Sequence, residues 1–344
     1  MRFAAVAHAL PSRLVTNDDL LERVAQQNRD LLSADRLREV SHYLEEQLRR
    51  AGAVGRYHRD DGESALDFGV AAGRLALERA DLPASSVDLL VYAGVGRGFL
   101  EPATANVFQD ALHLSNATCF DILDACASWM RAVDIARYML TAGPARTAMI
   151  LNCEFNFAEY EPRTIGSRND MEQLWAGYTV GEAATATILT ASPDPSYHFT
   201  FRNLGQHVPL CQIPLPHAAQ FQNGARRANR EALRFYALPT PLAASATRQL
   251  QQQYWSDPEL CDRQYDVVFG HSASVPVSRG VARKLKLDTA LHYELFPRYG
   301  NTVSAALPLG MSLAQEEGRL RRGQRVLLIM GGAGLTTALG TFVY

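Results

Sequence analysis

Val87-Asp88-Leu89-Leu90-Val91-Tyr92 returns 178 positions later (266 less 88) as Tyr265-Asp266-Val267-Val268-Phe269-Gly270. Each copy is a short apolar run behind an aspartate, the pattern of a buried strand. Downstream of each lie a helical pattern, a turn (Ala142-Gly143-Pro144 or Glu317-Gly318), a basic residue and a second strand, Arg146–Leu151 or Arg325–Met330. Two copies of one α/β unit, each about half the chain, would pack into a single five-layered body. Any two βα units share some likeness, so periodicity alone leaves the duplication open.

Val87–Val95, Thr147–Leu151, Thr185–Thr190, Tyr265–Gly270 and Arg325–Met330 read as buried strands. Ser64–Ala80, Ala127–Ala142, Val275–Lys286 and Thr302–Glu317 read as helices, and the alternation predicts an α/β chain with helices laid on sheets. The best linker candidate is Ser192-Pro193-Asp194-Pro195-Ser196, which divides the chain into halves 1–191 and 192–344. A second irregular stretch runs from Pro209 to Arg230 and contains Gly224.

Composition narrows the function classes. The 344 residues are 47% hydrophobic and 20% charged, the balance of a folded globular protein. Thirty-four Lys and Arg against 36 Asp and Glu leave a net charge of −2, so nucleic acid and anionic membrane are poor partners. Apolar runs stop short of the roughly 18–20 residues of a membrane span, and the N-terminus lacks a signal-peptide core. Five scattered cysteines argue against a disulfide framework and for a reducing, cytoplasmic location.

Three residues carry nucleophilic or polarising chemistry. Cys126, in Asp121-Ile122-Leu123-Asp124-Ala125-Cys126-Ala127-Ser128, sits where a strand turns into a helix. The first turn's unpaired N–H groups and dipole would favour its thiolate, although an inert buried cysteine fits the same pattern. His271 follows a strand, where α/β folds place their sites. Asn301, in Gly300-Asn301-Thr302, opens another helix and also reads as an N-cap.

Taken together, these segments resemble the ketoacyl synthase III branch of the thiolase superfamily, and the likeness covers nearly the whole chain. It rests on Leu10-Pro11-Ser12-Arg13 and the helix after it, Asp124-Ala125-Cys126-Ala127, the histidine segment at His271, Gly300-Asn301-Thr302, and Gly331-Gly332-Ala333-Gly334 near the C-terminus. The resemblance implies a five-layered α/β/α/β/α fold from two duplicated halves. It also implies that Cys126 accepts an acyl group from a coenzyme A or acyl-carrier-protein thioester. His271 and Asn301 would hold the carbonyl oxygen of a second thioester. Backbone N–H groups at Cys126 and around Gly331, Gly332 and Gly334 would bind the oxyanion, each donor contributing about 3–4 kcal/mol. No metal or other cofactor is implied.

Departures from the housekeeping fatty-acid enzyme point further. Ser272 and Ser274 replace the Gln and Asn of its histidine motif. The tryptophan of its coenzyme A entrance is missing, and the charged stretch Leu37–Arg50 stands in its place, read as a solvated helix face. Carrier-protein delivery becomes a live option. Glu101, in Gly98-Phe99-Leu100-Glu101-Pro102, replaces an aromatic residue on a loop that reaches across a homodimer. In the head-to-head condensing enzyme of olefin synthesis and in α-pyrone-forming ketosynthases that residue is a glutamate acting as a base toward the partner's substrate. A carboxylate in an apolar tunnel titrates closer to neutrality, which suits proton abstraction.

The expected activity is therefore a Claisen-type condensation of two acyl thioesters in natural-product biosynthesis, with an α-pyrone as one product. Decarboxylative extension with a malonyl thioester and acyl transfer to oxygen or nitrogen remain alternatives. Other motifs carry less. Gly94-Val95-Gly96-Arg97-Gly98 brings its third glycine one position early for a dinucleotide fingerprint. Cys119, Cys153, Cys211 and Cys261 lack metal-ligand spacing and read as packed, and His113, His198, His207, His217 and His292 read as structural or surface residues.

Overall fold

The computed structural model describes residues 1–155, 160, 165, 167–193, 196–221, 232–271 and 273–344. Asp194 and Pro195 of the linker, residues 222–230 of the irregular stretch, and Ser272 lie outside the described residues.

In chain order the N-terminal part contains β1 (Arg2–Ala9), β2 (Arg13–Thr16), α1 (Asn17–Asn28), α2 (Ala34–Ala51), β3 (Gly55–His58), α3 (Ala65–Ala80), β4 (Leu89–Ala93), α4 (Thr104–Ala111), β5 (Thr118–Ile122), α5 (Ser128–Ala142), β6 (Thr147–Glu154), α6 (Arg168–Leu174) and β7 (Ala183–Thr190). The C-terminal part continues with β8 (His198–Asn203), β9 (Cys211–Gln212), β10 (Tyr236–Ala237), α7 (Pro239–Trp255), α8 (Pro258–Cys261), β11 (Val267–Gly270), α9 (Val275–Leu285), β12 (His292–Tyr293), α10 (Phe296–Tyr299), α11 (Ala306–Glu316), β13 (Arg325–Gly332) and β14 (Thr336–Val343).

Side-chain caps fix several boundaries. Ser64, Ser33 and Thr16 accept the N–H three residues on at the starts of α3, α2 and α1, and left-handed Gly52 closes α2. The helix expected from Ala127 begins at Ser128. The one expected from Thr302 starts as a tighter turn over Val303–Ala305 before α11.

Two five-stranded sheets form, in the orders β1-β7-β6-β4-β5 and β12-β11-β13-β14-β8. Their centres carry the 178-residue echo in register: Leu89 faces Ala148 across β4 and β6, and Val267 faces Val326 across β11 and β13. The alternation of strand side chains sets the layers. Leu89, Val91, Val267 and Phe269 point inward onto α5 and α11, which lie between the sheets. Leu90 and Tyr92 face α3 and α4 on one outside, and Val268 and Leu327 face α7 and α9 on the other. The result is five layers, α/β/α/β/α. Because α11 meets a sheet on either side, Ala306 through Ala314 are all buried, with no polar stripe.

Candidate active site

The strand-to-helix turn at Cys126 is held by its neighbours. Asp124 receives the Arg131 guanidinium and the Thr336 hydroxyl, and the Ser128 hydroxyl donates to the Ala125 carbonyl. Ala125 has a left-handed φ of +46, a conformation costly for a residue with a Cβ, and it turns the chain immediately before the cysteine. Cys126 stands two residues ahead of α5 rather than inside its first turn.

That placement corrects the expectation of a resting thiolate. Burial pushes the Cys126 thiol well above its ordinary value, and Cys211 and the Glu154 carboxylate push it the same way. The N–H groups of Ala333 and of Cys126 itself bond the sulfur and pull in the other direction without winning. Both N–H groups thus stand beside the sulfur. Of the expected glycine loop, Gly331 and Gly332 are the last residues of β13, and Gly334 lies in the turn to β14. A Cβ on Gly332 would sit 3.3 Å from the Cys126 Cβ and 3.4 Å from its nitrogen, so the bare glycine lets the strand approach the nucleophile.

His271 leaves the end of β11, its N–H donating to the Ile329 carbonyl at 2.9 Å. Among the described residues its buried Nδ1 has no hydrogen-bond partner, and burial lowers the imidazole to about 4, so the ring is neutral at physiological pH. Asn301 is tied by backbone bonds to Thr179 and Gly181. Its Oδ1 accepts the Val303 N–H at 3.0 Å, which commits the oxygen and leaves the amide NH2 as the free end. The N-cap expected at Asn301 is not formed: Thr302 precedes the turn Val303–Ala305, and Ala305 precedes the helix that follows.

Cys126, His271, Asn301, Gly331 and Gly332 all line one largely apolar cavity of about 640 Å³. Glu101 does not line it. It sits on an exposed loop whose far end is anchored by the Asp121 carboxylate, which accepts from the Thr104 and Ala105 N–H groups at 2.8 and 2.9 Å. Gly334 is likewise absent from the cavity wall.

Several cavity residues escaped the sequence. Gln47 and Arg50 of α2 reach it, so this helix is more than a solvated face, and Trp175 supplies an indole from a different segment. Cys211 and His292, read as packed or structural, also line it. None of the five was marked by a local motif, and long-range contacts bring them together. Glu154 escaped as well. This fully buried carboxylate accepts the N–H groups of Val95 and Gly96 at 3.1 and 2.7 Å, and burial raises its pKa.

Residues 257–343 match the family model for the C-terminal part of 3-oxoacyl-[acyl-carrier-protein] synthase III. The chain is 30% identical over 344 residues to β-ketoacyl-[acyl-carrier-protein] synthase III 5 of Streptomyces coelicolor, covering 97% of this chain and 94% of that protein. It is 23% identical over 336 residues to the β-ketoacyl-[acyl-carrier-protein] synthase III of Clostridium novyi, covering 95% and 94%. Among solved structures, a cysteine-to-serine variant of Xanthomonas campestris OleA with bound lauric acid and lauroyl-CoA superposes with a TM-score of 0.81. The two are 21% identical, and the match covers 99% of this chain and 98% of that one. The 3-oxoacyl-[acyl-carrier-protein] synthase III of Aquifex aeolicus gives 0.81 at 22% identity, over 100% and 99%. The five-layered architecture is thus the thiolase-like fold.

Proposed function

Because the chain belongs to the β-ketoacyl-[acyl-carrier-protein] synthase III family, we propose that it is a ketosynthase joining two acyl thioesters, with Cys126, His271 and Asn301 as its catalytic residues. The observation that carries this reading is the meeting of these three side chains, from segments far apart in sequence, on the wall of one apolar cavity.

In the first half-reaction the Cys126 sulfur attacks an acyl thioester, the Ala333 and Cys126 N–H groups hold the oxyanion, and the thiol proton leaves with the released carrier thiol. In the second, His271 and Asn301 donate to the carbonyl oxygen of another acyl thioester as its α-carbon loses a proton. That carbon attacks the Cys126-bound carbonyl, the new C–C bond forms, and the Cys126 sulfur departs and is reprotonated. We assign the α-proton to Glu101 of the partner subunit in a homodimer. Glu101 does not reach its own cavity, and beside it Phe99 and Leu100 are 48% and 82% exposed, apolar surface suited to a second copy of the chain. Two β-keto chains would give a product able to close to an α-pyrone.

In a second reading the nucleophile arises by loss of CO₂ from a malonyl thioester and needs no base. Glu101→Gln separates the two. Under the first reading, intact-mass spectrometry shows undiminished acylation of Cys126 while condensation collapses and no CO₂ is released. Full product formation by the variant, or stoichiometric CO₂, removes the role of Glu101.

A further inference from the structure

The cavity is not lined by hydrocarbon alone. Beside Ala246 and Leu250 of α7, Val281 of α9 and Ile329 of β13, its wall includes His292 and Ser278. His292 stands on β12, opposite Val268 of β11. A Cβ on Gly270 would lie 2.8 Å from the His292 Nε2, so only a glycine lets this ring rest against the backbone one residue before His271. On its other side, Nδ1 faces the Glu294 Oε2 at 4.0 Å, beyond hydrogen-bond reach. The same oxygen accepts the Ser278 hydroxyl at 2.9 Å, and the Glu294 Oε1 is buried without a partner. Behind His292 and Ser278 lies a second, polar cavity of about 160 Å³, reached by Arg279, Thr289 and Glu294. The two residues are therefore a shared wall with polar groups on one face and the apolar channel on the other.

No described residue hydrogen-bonds the His292 imidazole. A plain hydrocarbon chain laid against it would strip its water and return nothing. Burial holds the ring near 4 and hence neutral, with one nitrogen a donor and the other an acceptor. A hydroxyl group both donates and accepts, so it fits either tautomer, whereas a ketone fits only one.

Building on the ketosynthase reading, we infer that the acyl chain carried by Cys126 bears a hydroxyl group that hydrogen-bonds His292, so that this enzyme prefers hydroxyacyl thioesters. His292 is then a specificity residue that touches the acyl chain rather than the reacting carbons.

The test is competitive self-acylation. Equal concentrations of a saturated acyl-CoA and one of its hydroxylated positional isomers are offered to the full-length protein, isomer by isomer, and the two Cys126 adducts are resolved by intact-mass spectrometry. The expected result is one isomer favoured about tenfold over the plain chain, the discrimination a hydrogen bond in an apolar site supports. In His292→Leu that ratio falls to one or below while the plain chain still loads, and His292→Gln, which keeps a donor and an acceptor, retains part of it. Acylation with no isomer favoured, or an undiminished preference in His292→Leu, overturns the inference alone. Failure of Cys126 to accept any thioester overturns the ketosynthase reading and the inference with it.

Discussion

Glu154 and Ser304, 150 positions apart, share a buried hydrogen bond that ties the end of β6 in the first sheet to the segment bearing Asn301 in the second half. The carboxylate also accepts the Ser304 N–H at 3.4 Å, beside those of Val95 and Gly96. Glu154→Gln replaces one accepting oxygen by an NH2 group facing donors, so it is expected to cost about 1–3 kcal/mol. The urea midpoint reads this out, and an unchanged midpoint would show that the cluster contributes no stability.

The Asn301 amide is oriented by the Val303 N–H, and Val303 itself holds an unfavourable left-handed φ of +51. Asn301→Asp keeps that bond and replaces the NH2 donor by a second oxygen. Condensation is expected to drop about 100- to 1000-fold while Cys126 acylation proceeds. Single-turnover measurements of the two half-reactions distinguish them; an equal loss in both contradicts the assignment.

Gly332→Ala tests how closely β13 must approach the nucleophile. The new Cβ would press on the Cys126 Cβ at 3.3 Å and on the Ala127 nitrogen at 3.4 Å, so the turn must give by tenths of an ångström. The fold should persist with an unchanged melting profile. The acylation rate should fall by about tenfold or more, since catalysis is sensitive to small misplacements. Wild-type acylation kinetics in this variant would mean the turn yields without cost.

The Cys126 thiol, pushed up by burial, sets a pH dependence. Alkylation by iodoacetamide should climb steadily from pH 7 to 10 with no plateau, because the reactive thiolate stays a minor species throughout. A plateau near neutrality would instead reveal a resting thiolate.

Stability should respond to acid in the opposite range. His58, His271 and His292 are each lowered from 6.5 to about 4 by burial. The unfolded chain therefore binds protons near pH 6 that the native chain refuses. The stabilisation is complete above about pH 6.5 and is lost as pH falls toward 4, by up to roughly 1.4 kcal/mol per pH unit for each histidine. Glu154, raised by burial, works in the other direction at the acid end. Denaturation series at pH 7, 6 and 5 check this, and a flat profile refutes it.

The repeated aspartates show what was legible in the sequence. Asp88 accepts the backbone N–H of Arg146 at 2.7 Å and of Thr147 at 3.0 Å at the start of β6, and Asp266 accepts that of Arg325 at 2.7 Å at the start of β13. The echo seen as letters is one hydrogen-bonded device used twice. Helix caps such as Ser64 and strand runs such as Leu89–Ala93 were equally readable, because their causes lie within a few residues of one another.

By itself, then, the sequence determined the alternating elements, their duplicated order, and which cysteine, histidine and asparagine stand at element ends. Only the folded chain shows that burial raises the Cys126 thiol, that Cys211, Trp175 and His292 share its cavity, and that Glu101 does not line it. The reason is range: caps and alternation act through neighbouring bonds, whereas desolvation and cavity walls are made by residues tens to hundreds of positions apart, which meet only when the layers close.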